Sequence, residues 1–239
     1  MRKFSDSKRA KIMALAAAGL VVGVGGTVTL AAWVDTEWVY GGSGGDEPGV
    51  GTSEFVVEQN TTSPFSGAGW TEEPDNPGGS LIFSGEPLAL TPGDFIYSPV
   101  ALRTTVDSIG GNVDLLAAVP AVTEADPAVE IPTDDPGDLL WDTLTLRVGV
   151  VEVDDEGTAP VCDADFFEDA DFIIITGGLA DAGAVDIPID AAGAAYLHYC
   201  FEVGLPSVED LEEEDIDPTT LQGRTVAPAW EFVSTSVSV

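Results

Sequence analysis

Lysine is missing from this chain beyond Lys11. Of 239 residues, 42 are acidic and only eight are basic, giving a formal charge of −34. Five of the eight bases (Arg2, Lys3, Lys8, Arg9 and Lys11) crowd the start, and only Arg103, Arg147 and Arg224 follow. Such a surface repels phosphate backbones and anionic lipid, which excludes nucleic-acid binding and polybasic membrane docking. Histidine is almost as scarce. His198 stands alone, so neither an H-E-x-x-H zinc site nor a histidine-based zinc set can form. No serine has the strand–turn–helix context of a G-x-S-x-G elbow, and carboxylate pairs carry no information where acids are this abundant. The sequence reads as a non-enzyme with no cofactor. Apolar residues still make up 44%, too many for intrinsic disorder.

What is present begins with an export signal. The basic stretch MRKFSDSKRAK runs into an uncharged segment from Ile12 to Trp33, and Asp35 and Glu37 follow. Positive charge holds the start in the cytoplasm while the apolar run enters the translocon, the order of a secretory signal peptide. Ala31 and Ala32 offer a cleavage site. An uncleaved membrane anchor is the competing reading, since 22 residues of helix just span a bilayer. Gly19, Gly23, Gly25 and Gly26 weaken such a helix. The domain reading is therefore 1–32 signal helix, 33–51 an N-terminal strand with a Gly-rich linker, and 52–239 a β-sandwich domain. The predicted location is outside the cell or on its surface.

Both cysteines, Cys162 and Cys200, fall in the exported part, where an even pair is most simply a disulfide. Free thiols or metal ligation is the alternative. Between them and around them the texture is strand, turn, strand, punctuated by 27 glycines and 16 prolines. Expected strands are Ser53–Glu58, Ser80–Ser84, Phe95–Val106, Val113–Val119, Thr143–Val153, Asp171–Thr176, Ala194–Leu205 and Arg224–Val239. Leu144, Leu146, Val148 and Val150 alternate with Thr143, Thr145, Arg147 and Gly149, the period of a half-buried strand. In the last segment Val226, Pro228, Trp230, Phe232 and Val233 are expected near the core. On Ala194–Leu205, Tyr196, His198 and Cys200 share a face, and His198 reads as structural, beside the disulfide. No stretch keeps a helical period over three turns, so an all-β sandwich is expected.

Acidic loops are expected at Asp126–Asp138, Asp154–Glu156, Asp163–Asp171 and Glu209–Asp217. Asp163, Asp165, Asp169 and Asp171, with Glu168, make a candidate calcium loop, because hard cations want six to eight oxygens. The spacing is not that of an EF-hand, and a solvated acidic surface or halophilic adaptation explains the same residues. Asn60-Thr61-Thr62 is a glycosylation sequon to which no function is attached. The linker Gly41–Gly51 is flexible by composition. Ahead of it, Trp33–Tyr40 sets Val34, Thr36, Trp38 and Tyr40 on one face and Trp33, Asp35, Glu37 and Val39 on the other. This apolar strand on a glycine tether is free to fold onto its own sheet or to add to a neighbour's.

The segment Gly25–Trp38 (GGTVTLAAWVDTEW) resembles the export signal of the TasA/camelysin family, with Ala31, Ala32, Trp33 and Asp35 at the matching positions. Leu88–Val119, with Pro92, Gly93 and Asp94 at a turn, and Leu221–Phe232 are similar to the family's paired and terminal strands, the latter especially in actinobacterial members. The resemblance implies cleavage between Ala32 and Trp33 by a SipW-type signal peptidase and a jelly-roll sandwich. It also implies a secreted fibre or biofilm-matrix subunit that self-associates into filaments by donating its N-terminal strand. The metallopeptidase label attached to the camelysin name is at odds with a chain that has one histidine. Two functions are carried forward: the fibre subunit, and a monomeric exported acidic binding module, calcium-dependent or not, whose N-terminal strand completes its own sheet. High net charge further predicts that assembly needs salt, divalent cations or acid.

Overall fold

The computed structural model describes residues 51–65, 67–123, 126–154, 158–181 and 183–237. Its backbone is built on one long apolar strand, β10 (Ala195–Gly204), flanked by two others of ten residues, β2 (Phe95–Thr104) and β7 (Thr145–Asp154). The short strands β1 (Val57–Asn60) and β8 (Ile173–Gly178) complete an antiparallel sheet in the order β1-β2-β10-β7-β8. A second antiparallel sheet has the order β12-β3-β9, from β3 (Gly111–Leu115), β9 (Ala184–Ile189) and β12 (Phe232–Ser236). Two small ladders join β4 (Val119–Pro120) to β11 (Pro228–Ala229), and β5 (Val122–Thr123) to β6 (Asp126–Glu130). The expected all-β class is what the chain adopts.

Period-two alternation explains how the sheets meet. Leu197, Tyr199, Phe201 and Val203 leave one face of β10, and Val100, Leu102, Leu146 and Val148 leave the same face of its neighbours. Val113, Leu115 and Ile189 of the three-stranded sheet belong to the same buried cluster. Aromatic edges cross between the sheets: Tyr199 to Phe232 at 5.0 Å and Phe201 to Trp230 at 4.9 Å between ring centroids.

The opposite face of β10 is buried as well. His198, Cys200 and Glu202 point there, under a 3-10 turn, Ala164–Glu168, whose Phe166 and Phe167 lie on the sheet. The Cys162–Cys200 disulfide ties this cover down, with the two Cα atoms 5.3 Å apart. Gly149 of β7 has a specific task here, because a Cβ at that position would run into the Phe166 ring.

Several sequence expectations need correction. Leu81 and Phe83 pack against the core, but Ser80–Ser84 makes no ladder; Ser84 alone donates its amide to the Tyr97 carbonyl at 2.7 Å. The first strand is Val57–Asn60, later than Ser53–Glu58, and Val113–Val119 splits into β3 and β4. Arg224–Val239 likewise breaks into β11 and β12, and Val233 faces solvent. Residues Leu139–Thr143 form a short helix, α1, just ahead of β7. Strand β9 was hidden by Asp186, which takes a left-handed φ of 58°, and by Pro188. The acidic stretch Asp126–Asp138 holds β6 and a 3-10 turn, and Glu209–Asp217 holds most of a second helix, α2 (Val208–Glu213), started by a Ser207–Asp210 capping box. The sequon's Asn60 is 1% exposed, its amide donating to the Ala68 carbonyl and its oxygen accepting from the Thr62 amide.

Candidate functional site

The two lateral sides of the paired sheets differ. On one side the chain passes from β8 to β9 within a few residues, and buried Leu179 accepts a bond from the Ala118 amide at 3.0 Å. On the other side lie β1 and β12, each the edge of its sheet.

The ladder geometry shows what those edges offer. Phe232 pairs with Leu115 while the Leu116 amide reaches the Glu231 carbonyl, and Ser236 pairs with Gly111 while the Val237 amide reaches Gly110. In an antiparallel ladder this makes Phe232, Ser234 and Ser236 the residues whose own N–H and C=O point away from β3. None of these outward groups has a backbone partner among the described residues. On β1 the same reasoning turns Val57 and Gln59 outward; Gln59 exchanges two bonds with Thr71, at 2.8 and 2.9 Å, and Val57 has no such partner among the described residues. An unpaired edge of this kind is a template for another strand.

Between these edges runs a groove of about 900 Å³. Its floor is core, made by Val100, Leu102 and Phe201, and its wall on the β12 side is Trp230, Phe232 and Ser234. The Trp230 indole N–H is buried without an acceptor among the described residues, so the groove wall carries an unused donor. Over the β1 side lies the loop 72–79, held by the Asn76 side chain, which donates to the Pro120 carbonyl at 3.2 Å and accepts from the Val122 amide at 2.9 Å. The rim is acidic: Glu58, Glu72, Glu73, Asp75 and Glu231 border it, and Glu58 is bound by Arg103, whose guanidinium stacks 4.1 Å above Trp70.

A smaller recess of about 370 Å³ adjoins the groove and shares Val119, Ala121, Ile131 and Ala227 with it. Trp141 of α1 forms part of its wall, with Glu130, Asp138 and Asp142 around it. Asp135, also in the lining, is already committed. Burial pushes its carboxyl pKa up, but the Leu140 and Trp141 amides and Arg224 at 2.7 Å outweigh that and hold it below its ordinary value.

The residues singled out from sequence fare unequally. The Cys162–Cys200 pair is a disulfide. Ala31, Ala32, Trp33 and Asp35, and the strand residues Val34, Thr36, Trp38 and Tyr40, lie outside the described residues. The calcium candidates do not converge. Asp163 accepts the Asp165 amide at 3.1 Å and Asp169 the Asp171 amide at 3.0 Å, so two carboxylates shape the local turns. Among the described residues no group of three or more His, Cys, Asp or Glu side chains is arranged to hold a metal.

The polar groups under the disulfide-tied cover serve the fold. Arg147 grips Glu202 through two bonds of 2.6 Å, and its guanidinium lies 4.7 Å from the Phe167 ring centre. Tyr97 lies beside the same carboxylate, and desolvation followed by the Glu202 charge pushes its hydroxyl pKa up to about 12. His198 sits between Phe65 and Phe166 with neither ring nitrogen bonded, and burial pulls its pKa down to about 4. Sequence reasoning missed the groove because its walls are far apart in the chain; the terminal aromatic cluster Trp230–Phe232 was its one visible trace.

A scan against protein-family models matches none to this chain, and a search of curated proteins returns no match. The disulfide fits an oxidising compartment. Among the described residues no helix is long and apolar enough to cross a membrane.

Proposed function

We propose that this chain is a secreted structural subunit, a jelly-roll-like sandwich exported on its N-terminal signal helix and cleaved between Ala32 and Trp33. Released in this way, Trp33–Tyr40 is donated to the groove of the next copy, and the copies build a cell-surface or matrix fibre. The observation that carries the reading is the groove itself: core side chains on its floor and, along one wall, the backbone of Phe232, Ser234 and Ser236, which has no outward partner among the described residues. An inserted strand would satisfy that backbone with main-chain bonds, while alternate side chains enter the apolar floor. Val34, Thr36, Trp38 and Tyr40 form the face suited to enter, with Asp35 and Glu37 turned outward. Because donor and acceptor are different surfaces, the contact repeats head to tail and builds filaments.

The test is deletion of Trp33–Tyr40 from the exported protein, followed by thermal melting and electron microscopy. A fibre subunit keeps its melting transition and loses filaments. A large drop in melting temperature of monomeric protein, with no filaments from the intact chain, would instead assign the strand to its own sheet and make the chain a monomeric binding module.

A further inference from the structure

We propose that the loop 72–79 is a strap that closes the groove of the free subunit, latched by the Asn76 side chain, and that an entering strand must release it. Acceptance is then a gated step. This rests on the groove being the acceptor of Trp33–Tyr40.

The first argument is how the strap is held. Both its ends rest on one residue of β1. Thr71 exchanges backbone bonds with Gln59, and a Cβ on Gly79 would stand 3.0 Å from the Gln59 side-chain nitrogen. The tip reaches away to Pro120 and Val122, at the β4–β5 junction, through Asn76. Among the described residues, those two are the only hydrogen bonds that tie 72–79 to the rest of the fold. No residue from Glu72 to Gly79 is buried, and Gly78, at a φ of 71°, gives the strap a hinge. A segment with so little buried surface opens at small cost while the sheets beside it stay folded.

The second argument is the chemistry of the latch. The Ala121 amide donates to the Ala227 carbonyl at 2.8 Å, so the Pro120 carbonyl and the Val122 amide on either side of it point the other way. The Asn76 amide serves both, as donor to one and acceptor from the other, in the manner of a neighbouring strand's backbone. The strap is poorly suited to become a strand itself, because Pro74 and Pro77 have no N–H to donate. It covers the groove and leaves the outward groups of Phe232, Ser234 and Ser236 without a backbone partner among the described residues.

The third argument is length. Trp33–Tyr40, fully extended, spans about 26 Å, whereas β12 from Phe232 to Ser236 offers about 16 Å, both at roughly 3.3 Å per residue. Part of the strand must therefore lie beyond β12. In the direction of Trp230 the groove goes on over Leu81 and Phe83, which pack against the core, and every residue from Glu72 to Gly79 lines the same groove. Seating all of Val34, Thr36, Trp38 and Tyr40 on apolar surface thus displaces the strap.

The test unlatches the strap and, separately, locks it, in the processed chain 33–239, with assembly followed by light scattering and electron microscopy. Asn76→Ala is expected to polymerise at about tenfold lower protein concentration than wild type, the scale of two exposed hydrogen bonds that no longer hold the closed state. Its melting temperature should stay close to that of wild type, because the latch touches no core residue. Asn76→Cys with Val122→Cys places a disulfide where one side chain already spans the gap. The oxidised variant is expected to make no filaments and to regain them on mild reduction, with wild type in the same reductant as reference. Equal or weaker polymerisation of Asn76→Ala, or filaments from the fully locked chain, overturns the gate; if filaments are still lost on deleting Trp33–Tyr40, strand donation stands. Filaments that survive that deletion overturn both.

Discussion

Tyr199 of β10 and Phe232 of β12 meet edge to face, their ring centroids 5.0 Å apart and their planes at 62°. One residue belongs to the centre of the five-stranded sheet and the other to the edge of the three-stranded sheet. The contact therefore couples the groove wall to the best-buried strand of the molecule. Phe232→Ala is expected to destabilise the fold by about 3 kcal/mol, the usual cost of truncating a packed Phe, and to impair strand acceptance as well. Chemical denaturation and light scattering measure the two effects separately.

Proline substitutions on β12 separate acceptance from folding. The Ser234 amide points away from β3, whereas the Val233 amide lies within the ladder. Ser234→Pro is expected to leave the melting temperature nearly unchanged and to block filament growth. Val233→Pro is expected to lower the melting temperature, since it removes a ladder bond. Equal melting temperatures for the two variants would contradict the assigned orientation of the edge.

Reduction should loosen the cover over the outer face of β10. The disulfide closes a separation of 38 residues, worth on the order of 4 kcal/mol in the chain-entropy picture. Cys162→Ala with Cys200→Ala is expected to lower stability by about that amount. Proteolysis should then nick the segment near Ala164–Glu168 first. Unchanged denaturation midpoints would show that Phe166 and Phe167 hold the cover unaided.

His198 gives a defined acid response. Its folded pKa, about 4, lies below the ordinary histidine value of 6.5, because burial among Phe65 and Phe166 disfavours the charged ring. The unfolded chain thus binds the proton first, and stability is present above pH 6.5 and lost as pH falls toward 4. The shift corresponds to roughly 3 kcal/mol at most. His198→Leu should flatten the decline in melting temperature across that window relative to wild type; carboxylates titrate in both proteins and cancel in the difference. Parallel curves would refute the assignment.

Arg147 is expected to matter more than a surface arginine does. Its partner Glu202 has a side chain only 3% exposed, so Arg147→Met leaves a buried carboxylate without its paired charge. The expected cost is about 3 kcal/mol, and a double variant that also carries Glu202→Leu should recover much of it. A double variant as unstable as the single one would mean that packing, not charge, is what Arg147 contributes.

The long central strands were legible because their composition leaves little choice. Phe95–Val106, Thr143–Val153 and Ala194–Leu205 are runs of apolar and β-branched residues, and each became a strand of ten residues within a residue or two of the expected limits. Leu81 and Phe83 look the same in sequence yet fill space without joining a ladder, because contact with the core already buries them. Strand β9 was illegible for the opposite reason: register with β3 holds it, not its own propensity. The groove depends on Val57 and Phe232 coming to the edges of different sheets on the same side of a shared core. Pairwise register decides that, and no local window of sequence contains it.

The placement of the groove wall in the chain has a temporal consequence. Trp230, Phe232 and Ser234 come after every other strand of both sheets. Under the proposed export and strand donation, a molecule still threading through the channel would hold its amino-terminal ribbon outside long before it owned a slot to receive one. Nascent copies would then give but not take, and polymer growth would be confined to subunits whose passage across the membrane is complete.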